Sequence, residues 1–491
     1  MGTPRRLVAG AAAAALTMSL AGCTPTTPVV GPGPDARTEA PPTTLDFNAG
    51  RSDPVRDPVY PDLGNPALDV LAYQLALEWT PPTGQLAGTA RLTIRTTTAV
   101  DALSLEFSHA YTVDGVTVDG EAATPSWAGD DIVVPVHRAA DEQTTLIVRY
   151  HGRPQTVPMP SQRTDFDEGL GLRADINGEA WTMQEPYGAG TWYPANDTPS
   201  DEAVYDTVIT VPAGWAAVAH GQLVGVDRSG DRDTFRWQAR DPVASYLATL
   251  AIGRYTELTD TGPGGLPLTY WLRTGRDEAY EPMVRRTPEL LTWLAARFGP
   301  YPFPSAGVVL VDSQSAMETQ QMVTYGAELG DGPTDLDYAA EVLLHEYAHQ
   351  WFGDSVTPTD WTGLWLNEGW AMYVEMLWTI DQGTATDARW VAIARTVDAR
   401  SRAAAGPPGN PKPDHFAEEN VYLGPALMLR EIHRAVGDDA FYALARDWVQ
   451  TQRNHQVDRA LFTRFVNEHT GRDFTALINA WLDSPTTPPS T

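Results

Sequence analysis

The sequence predicts an α+β protein of more than one domain, in which an all-β N-terminal domain precedes a mainly helical domain. Three observations support this class. The chain has 491 residues, enough for two or three domains, and 42% of them are apolar. Short strand-like runs separated by turn residues fill 59–256. Helical patterns predominate over 257–484.

The first 22 residues have the character of an export signal rather than of folded structure. Arg5 and Arg6 precede an apolar stretch at 7–22 that is too short for a comfortable membrane span. The stretch ends in Leu-Ala-Gly followed by Cys23, the only cysteine in the chain, and this pattern resembles a bacterial lipobox. We therefore expect a lipoprotein signal peptide at 1–22 and a lipid anchor on Cys23. The anchor would hold the exported protein at the outer face of the bacterial cell membrane. The alternative is an ordinary secretory signal with an incidental cysteine.

Acidic residues outnumber basic ones strongly. The formal net charge is −29, and removal of the two arginines with the signal peptide would make it −31. Such a chain is ill suited to nucleic acid, because phosphate contacts need Lys and Arg. Charge would not hold it on anionic lipid either, so membrane attachment would depend on the lipid anchor.

The segments on either side of the two domains are rich in proline and threonine. Residues 23–58 lack periodic apolar positions and predict a flexible tether. The tail at 485–491 is predicted to be disordered.

Individual elements can be predicted inside the two domains. Strand-like runs in the first domain include 91–95, 145–149 and 207–211. In the second domain, Thr287 and Pro288 predict the cap and the first position of a helix, and a strand follows at 308–311.

One helical turn in the second domain carries the residues of a metal site. His345, Glu346 and His349 form an H-E-x-x-H signature, in which the two imidazoles project from the same helix face. A hydrolytic zinc site needs three protein ligands and an open fourth position, and the glutamate can take a proton from water. Apolar neighbours place both histidines against a core, where a metal would satisfy them. The signature therefore indicates a zinc hydrolase with one zinc ion per chain.

The third ligand has to be found downstream. The next histidine is His415, which excludes the metzincin pattern with its short fixed spacing to a third histidine. The third ligand is then a carboxylate or, less favourably, His415. The carboxylate candidates are Asp354, Asp360, Glu368 and Glu375. A second predicted helix at 364–378 would bring Glu368 opposite the histidines, whereas Glu375 would lie past the metal at ~1.5 Å per residue. The pattern favours Glu368.

These segments resemble the aminopeptidase N family of gluzincins, which includes leukotriene hydrolase. Residues 345–353 read HEYAHQWFG and residues 364–371 read LWLNEGWA. The resemblance implies zinc on His345, His349 and Glu368, with Glu346 as general base.

The resemblance covers most of 59–484 and also implies the domain order. It predicts an N-terminal β-saddle domain followed by a thermolysin-like catalytic domain. Typical members also carry a large C-terminal helical domain. This chain ends before one could begin, so we expect a cleft that is more open on one side.

The resemblance also implies a catalytic tyrosine. The family places it in a Tyr-x-Lys-Gly context near the start of a helix, as a donor to the oxyanion. Tyr422 occupies the corresponding place, although Gly424 and Pro425 stand where the family has Lys-Gly. A packing role for Tyr422 is the alternative.

Recognition of a substrate α-ammonium is implied for two carboxylates. The family supplies one from a Gly-Ala-Met-Glu-Asn motif at a sheet edge, and here Ala316, Met317 and Glu318 lie between Ser315 and Thr319. The same edge can pair with an extended substrate backbone. A second recognition residue of the family matches Glu185, twelve residues before an aspartate. Solvated loop carboxylates are the alternative for both.

These residues predict a zinc-dependent aminopeptidase that removes N-terminal residues from peptides. One alternative is a gluzincin of altered specificity, either an endopeptidase or an enzyme like leukotriene hydrolase. Another is a non-catalytic lipoprotein that binds peptides.

Overall fold

The structure is a computed structural model that describes residues 45–163, 165 and 168–489. The predicted signal peptide, Cys23 and the first part of the predicted tether lie outside the described residues. The N-terminal domain is built from strands alone, apart from short 3-10 turns. Its strands are β1 Leu68–Thr80, β2 Gln85–Thr96, β3 Val100–Glu106, β4 Tyr111–Val118, β5 Glu121–Ala123, β6 Ser126–Ala128, β7 Asp131–Arg138, β8 Gln143–Gly152, β9 Gly171–Ala174, β10 Ala180–Met183, β11 Glu202–Pro212, β12 Ala216–Ala219, β13 Gln222–Ser229, β14 Arg232–Ala244 and β15 Leu250–Gly253.

Three sheets form this domain. The largest has eight strands in the order β13-β14-β11-β1-β2-β8-β4-β5, with β1 parallel to β11 and antiparallel to β2. A second sheet has the order β12-β15-β10-β9, and a third has the order β3-β7-β6. Tyr73, Trp79, Tyr150 and Trp192 are almost completely buried in the core. Glu185 is the second residue after the end of β10.

The second domain combines a small mixed sheet with helices. Its strands are β16 Tyr255–Thr261, β17 Pro267–Arg273, β18 Ala306–Val311, β19 Ala316–Met317, β20 Val323–Gly326, β21 Val356–Pro358 and β22 His455–Val457. Its helices are α1 Glu281–Val284, α2 Thr287–Phe298, α3 Leu336–His349, α4 Leu364–Asp381, α5 Asp387–Ala405, α6 Leu423–Val436, α7 Asp438–Gln452, α8 Arg459–Thr470 and α9 Thr475–Asp483.

Five strands of this domain form one sheet in the order β16-β17-β18-β20-β19, which leaves β19 at an edge. Helix α3 packs against β20 and against α4, and α4 packs against α6. Helix α4 is buried along most of its length because most of its residues are apolar. The predicted fold class is therefore confirmed. Among the described residues, none of the helices is both long and apolar enough to cross a membrane.

The predicted tether is wrong for its described part, residues 45–58. The Asp57 carboxylate is buried and accepts hydrogen bonds from the backbone N–H groups of Val59, Tyr60 and Trp361, each at 2.7 Å. Further upstream, the guanidinium of Arg95 donates to the carbonyl of Ser52. These polar anchors fix the segment although it lacks an apolar pattern.

Two predicted boundaries also need correction. The domain boundary at 256/257 falls inside β16, which pairs with β17 and so belongs to the sheet of the second domain. The tail is not free at 485–489, because Thr487 donates to Asp398 and the carbonyl of Pro488 accepts from Arg395, both on α5. Hydrogen bonds to a neighbouring helix thus order a segment whose composition predicts disorder.

Candidate metal centre and peptidase site

Three side chains on two helices come together in the second domain. Ligand atoms of His345, His349 and Glu368 all lie within 4.8 Å of one another, and all three residues are buried. The Nε2 atoms of His345 and His349 lie 3.3 and 3.5 Å from Oε2 of Glu368. The histidines share one face of α3, and the packing of α4 against α3 brings Glu368 opposite them. Two imidazoles and one carboxylate are a donor set that suits catalytic zinc.

Other groups fix the orientation of these ligands. Oε2 of Glu375 lies 3.4 Å from Nδ1 of His345, and the carbonyl of Phe352 lies 3.3 Å from Nδ1 of His349. Each acceptor favours the tautomer that carries its proton on Nδ1, which leaves Nε2 free to bind a metal. Burial alone would raise the pKa of Glu368, but His349 and His345 hold that pKa well below its usual value. This lowering comes from protonated histidines and so describes the site without metal; bound zinc would replace their protons and take Glu368 as a carboxylate.

The remaining candidate ligands lie elsewhere. The described residues contain one group of metal-ligating side chains, and it does not include Asp354, Asp360 or His415. Asp360 instead caps the turn before α4 through the backbone N–H of Thr362. Glu375 lies past the metal position, as its spacing predicts, but it contacts His345 from behind. Glu375 lies seven residues after Glu368, on the same face of α4. This spacing could have predicted its contact with a metal ligand.

Glu346 lies between the two histidines on α3 and is also buried. Burial raises the pKa of its carboxyl to about 7, although His345 and His349 act in the opposite direction. A carboxyl group whose pKa lies near neutral pH can both accept and return a proton.

Tyr422 lies immediately before α6 and faces the zinc ligands. Its ring is inclined by 27° to that of His345, with the centroids 6.2 Å apart. Burial raises the pKa of its hydroxyl well above the usual value, so this group stays protonated and can donate a hydrogen bond. Nη1 of Arg163 lies 3.2 Å from the hydroxyl oxygen. Arg163 could not be predicted from the sequence, because it lies in a loop without a periodic pattern.

Glu318 and Glu185 reach the same region from different domains. Glu318 follows the edge strand β19, and Glu185 follows β10. Both residues are buried, and Oε1 of each has no hydrogen-bonding partner among the described residues. Burial and the charge of Glu318 raise the pKa of Glu185, which also interacts electrostatically with Glu368. Two buried carboxyl groups with unused oxygens form a site that fits a cation.

The backbone at Ala316 and Met317 lies beside this cation site. Strand β19 pairs antiparallel with β20 on one side only, because it ends the sheet. Its other edge is available to pair with an extended peptide. The carbonyl of Glu318 accepts a hydrogen bond at 2.8 Å from Nε2 of Gln350, which ties this edge to the end of α3.

Comparison with known proteins agrees with this geometry. Residues 283–481 match the model of the peptidase family M1 domain. Over 216 residues the chain is 28% identical to aminopeptidase M1 of Arabidopsis thaliana, and over 210 residues it is 28% identical to glutamyl aminopeptidase of Rattus norvegicus. These matches cover 41% and 40% of this chain but only 25% and 22% of the two relatives, so the chain spans a minor part of their length.

The similarity to a solved structure extends much further. The crystal structure of a mutant M1 zinc metallopeptidase from Deinococcus radiodurans, bound to a Tyr-Ser-Ala substrate, superimposes with a TM-score of 0.79 at 27% identity. The superposition covers 89% of this chain and 99% of that one. The family-domain match and this likeness support zinc as the cofactor, and the His-His-Glu group fits a zinc site. Residues 283–481 therefore form a peptidase family M1 domain, and the chain as a whole is similar to a two-domain M1 zinc metallopeptidase.

Proposed function

We propose that this protein is a zinc-dependent aminopeptidase that removes N-terminal residues from peptides. The observation that carries the proposal is the pair of buried carboxyl groups, Glu318 and Glu185, beside the zinc ligands. Glu318 interacts electrostatically with His349 and Glu368, so the cation site lies near the metal centre. A substrate α-ammonium bound by the two carboxylates would place the first peptide bond near the metal.

The chemistry divides among the residues that surround the metal. Bound zinc supplies Lewis-acid polarisation of water and of the scissile carbonyl. Glu346 takes a proton from the attacking water and later gives it to the leaving amine. The hydroxyl of Tyr422 donates to the oxygen that becomes negative in the transition state. Glu318 and Glu185 hold the α-ammonium, and the edge of β19 holds the peptide backbone.

Replacing the general base tests the mechanism. Glu346→Gln should lower kcat by about 10²–10⁴-fold, because an amide cannot accept the water proton. Metal analysis of the same variant should still find one zinc per chain, because Glu346 is not a ligand. Glu468→Gln is the matched control, since Glu468 is exposed on α8, and it should retain full activity. Unchanged turnover in the Glu346→Gln variant would refute the scheme.

A pair of substrates tests the specificity. A peptide with a free N-terminus should be cleaved much faster than its N-acetylated form, because acetylation removes the cation that Glu318 and Glu185 bind. Glu318→Gln should raise KM for the free peptide and reduce this preference. Faster cleavage of the acetylated peptide would favour an endopeptidase. Zinc binding with no turnover of any peptide would favour a peptide-binding lipoprotein.

We further propose that the protein is exported and anchored to the outer face of a bacterial cell membrane through a lipid on Cys23. The support is the apolar stretch at 7–22 and the placement of the single cysteine directly after Leu-Ala-Gly. Expressed in a bacterial host, the protein should partition into detergent, and Cys23→Ser should move it to the aqueous phase. Equal partitioning of the two forms would exclude a lipid on Cys23.

A further inference from the structure

A chain of hydrogen bonds links Tyr422, the proposed oxyanion donor, to Ser315, which precedes the strand β19. Arg163 and Asp165 lie in the connection between β8 and β9, in the N-terminal domain. Nη1 of Arg163 donates to the hydroxyl oxygen of Tyr422 at 3.2 Å, and Oδ2 of Asp165 accepts from Oγ of Ser315 at 3.0 Å. This chain of hydrogen bonds thus joins Tyr422, at the start of α6, to the residue that precedes β19.

The hydrogen bond between Arg163 and Tyr422 can have only one direction, with Arg163 as the donor. A guanidinium has five N–H donors and no acceptor, so the phenolic oxygen has to accept. The proton of the Tyr422 hydroxyl is then directed away from Arg163. It remains available for an oxygen atom of the substrate. A positive charge beside the phenolic oxygen also makes that hydroxyl a stronger donor.

Arg163 is itself held from two sides. Its Nε and Nη2 atoms donate to the two carboxylate oxygens of Asp165 at 3.1 and 2.5 Å. Nη1 also donates to the carbonyl of Ala417 at 3.2 Å, five residues before Tyr422. The fork-to-fork geometry restricts the guanidinium plane more than a single contact would. Ser315 then fixes Asp165 through its hydroxyl, which the glycine of the family motif lacks.

We infer that Arg163 is a positioning residue for Tyr422, and that Asp165 and Ser315 fix Arg163 for this purpose. The inference rests on the proposed function, because it assumes that Tyr422 donates to the substrate oxyanion. The charge of Arg163 also lowers the pKa of Glu185, but its hydrogen bond is to Tyr422, so removing it should harm the transition state more than substrate binding.

A double-mutant cycle tests this coupling with a free dipeptide amide as substrate. Tyr422→Phe should lower kcat by about 10²–10³-fold, the cost of losing one oxyanion donor. Arg163→Ala should lower kcat by about 10–100-fold with KM changed less than about threefold, since only the orientation of that donor is lost. In the Tyr422→Phe background, Arg163→Ala should have almost no further effect, because the two residues act as a unit.

More conservative variants distinguish a loss of positioning from a loss of folding. Arg163→Lys should recover part of kcat, because an ammonium can still donate to the phenolic oxygen but cannot bind Asp165 at two points. Ser315→Gly removes one hydrogen bond and should lower kcat by roughly 2–5-fold, again without effect in the Tyr422→Phe background. Arg236→Ala is the matched control, because Arg236 is exposed on β14, and it should leave kcat unchanged.

The outcomes separate this inference from the proposed function. If the unmodified protein hydrolyses the dipeptide amide but Arg163→Ala has the same effect with and without the Tyr422 hydroxyl, Arg163 is only structural and the inference is wrong. A rise in KM at constant kcat would also overturn it, because it would assign Arg163 to substrate binding. If the unmodified protein has no peptidase activity, the proposed function fails and the inference fails with it.

Discussion

At the scale of single residues, the orientation of His345 depends on two glutamates of α4. Glu368 contacts Nε2 and Glu375 contacts Nδ1, at 3.3 and 3.4 Å. The two contacts on opposite nitrogens restrict rotation of the imidazole about its side-chain torsions. Glu375 therefore supports the zinc site without contributing a ligand.

Removing this support should weaken zinc binding. We expect Glu375→Ala to lower the zinc affinity by about 10–100-fold, because the imidazole loses its outer hydrogen-bonding partner. Competition with a chelator of known affinity measures the change. Glu375→Gln keeps a carbonyl oxygen as acceptor and should recover most of the affinity. Equal affinities of the Ala variant and the unmodified protein would show that His345 is fixed by packing alone.

The residues of the site differ in how far the sequence could predict them. His345, His349 and Glu368 lie on helices whose regular spacing fixes which side chains share a face. Glu318 and Glu185 could be predicted only through the family resemblance, since strand ends carry no such periodicity. Arg163 and Asp165 lie in a connection without pattern, and their contacts with Tyr422 and Ser315 join residues that are 259 and 150 positions apart in sequence.

At the scale of elements, α6 packs closely against α4 and α5. Gly369 on α4 is so near α6 that an added Cβ would lie 2.5 Å from Cβ of Pro425. At Gly424 an added Cβ would lie 2.5 Å from Nη2 of Arg402 and nearer still to Oδ1 of Asp398. The Gly-Pro pair after Tyr422 therefore allows α6 to approach both helices. This contact accounts for the departure from Lys-Gly.

Substitution at this contact should destabilise the fold. Asp398 and Arg402 form an ion pair whose side chains are fully buried, so neither can move away freely. Gly424→Ala should lower the free energy of unfolding by about 1–3 kcal/mol, as overpacking does in a dense core. Urea unfolding measures it. Gly225→Ala in β13 is the control, because open space surrounds that position, and its effect should stay within about 0.5 kcal/mol.

The higher helix propensity of alanine acts against this destabilisation. Alanine favours a helix over glycine by about 1 kcal/mol. A stabilised Gly424→Ala variant would mean that α5 and α6 separate easily and that their close packing does not hold Tyr422.

Element positions followed from the sequence better than element ends did. The runs at 91–95, 145–149 and 207–211 lie inside β2, β8 and β11, because alternation reports a half-buried strand directly. Thr287, by contrast, is the first residue of α2 rather than its cap. It is buried, and its hydroxyl lies 3.2 Å from that of Tyr347. A tertiary contact thus replaced the capping role that local sequence predicts.

At the scale of the whole molecule, buried polar contacts join the two domains. Oε1 of Glu202, on β11, accepts from Oγ1 of Thr357 at 2.7 Å, and Oε2 accepts from Nε2 of Gln456 at 2.8 Å. Thr357 and Gln456 lie on the paired strands β21 and β22 of the second domain. The partners of Glu202 are separated from it by 155 and 254 residues. No local pattern predicts such pairing, so the domain interface could not be predicted from the sequence.

This interface should make the stability of the protein depend on pH. Burial raises the pKa of Glu202 from 4.5 to about 7, although Thr357 and Gln456 act in the opposite direction. A carboxyl group with a raised pKa in the folded state stabilises the fold fully below its unfolded pKa. The contribution is lost as pH rises through the folded pKa. The contribution of Glu202 to the free energy of unfolding should therefore fall between about pH 5 and pH 8.

Replacing Glu202 with an uncharged isostere isolates this effect. Glu202→Gln should match the unmodified protein near pH 5, where the carboxyl is mostly protonated in the fold. By pH 8 it should be more stable by up to about 3 kcal/mol, since one pKa unit corresponds to about 1.4 kcal/mol. Urea unfolding of both proteins at a series of pH values gives the difference directly, and other titrating groups cancel in it. Glu468→Gln, at an exposed site, should show no such trend. A difference that does not grow with pH would mean that Glu202 is ionised in the folded protein and that the two domains meet through a charged, hydrated contact.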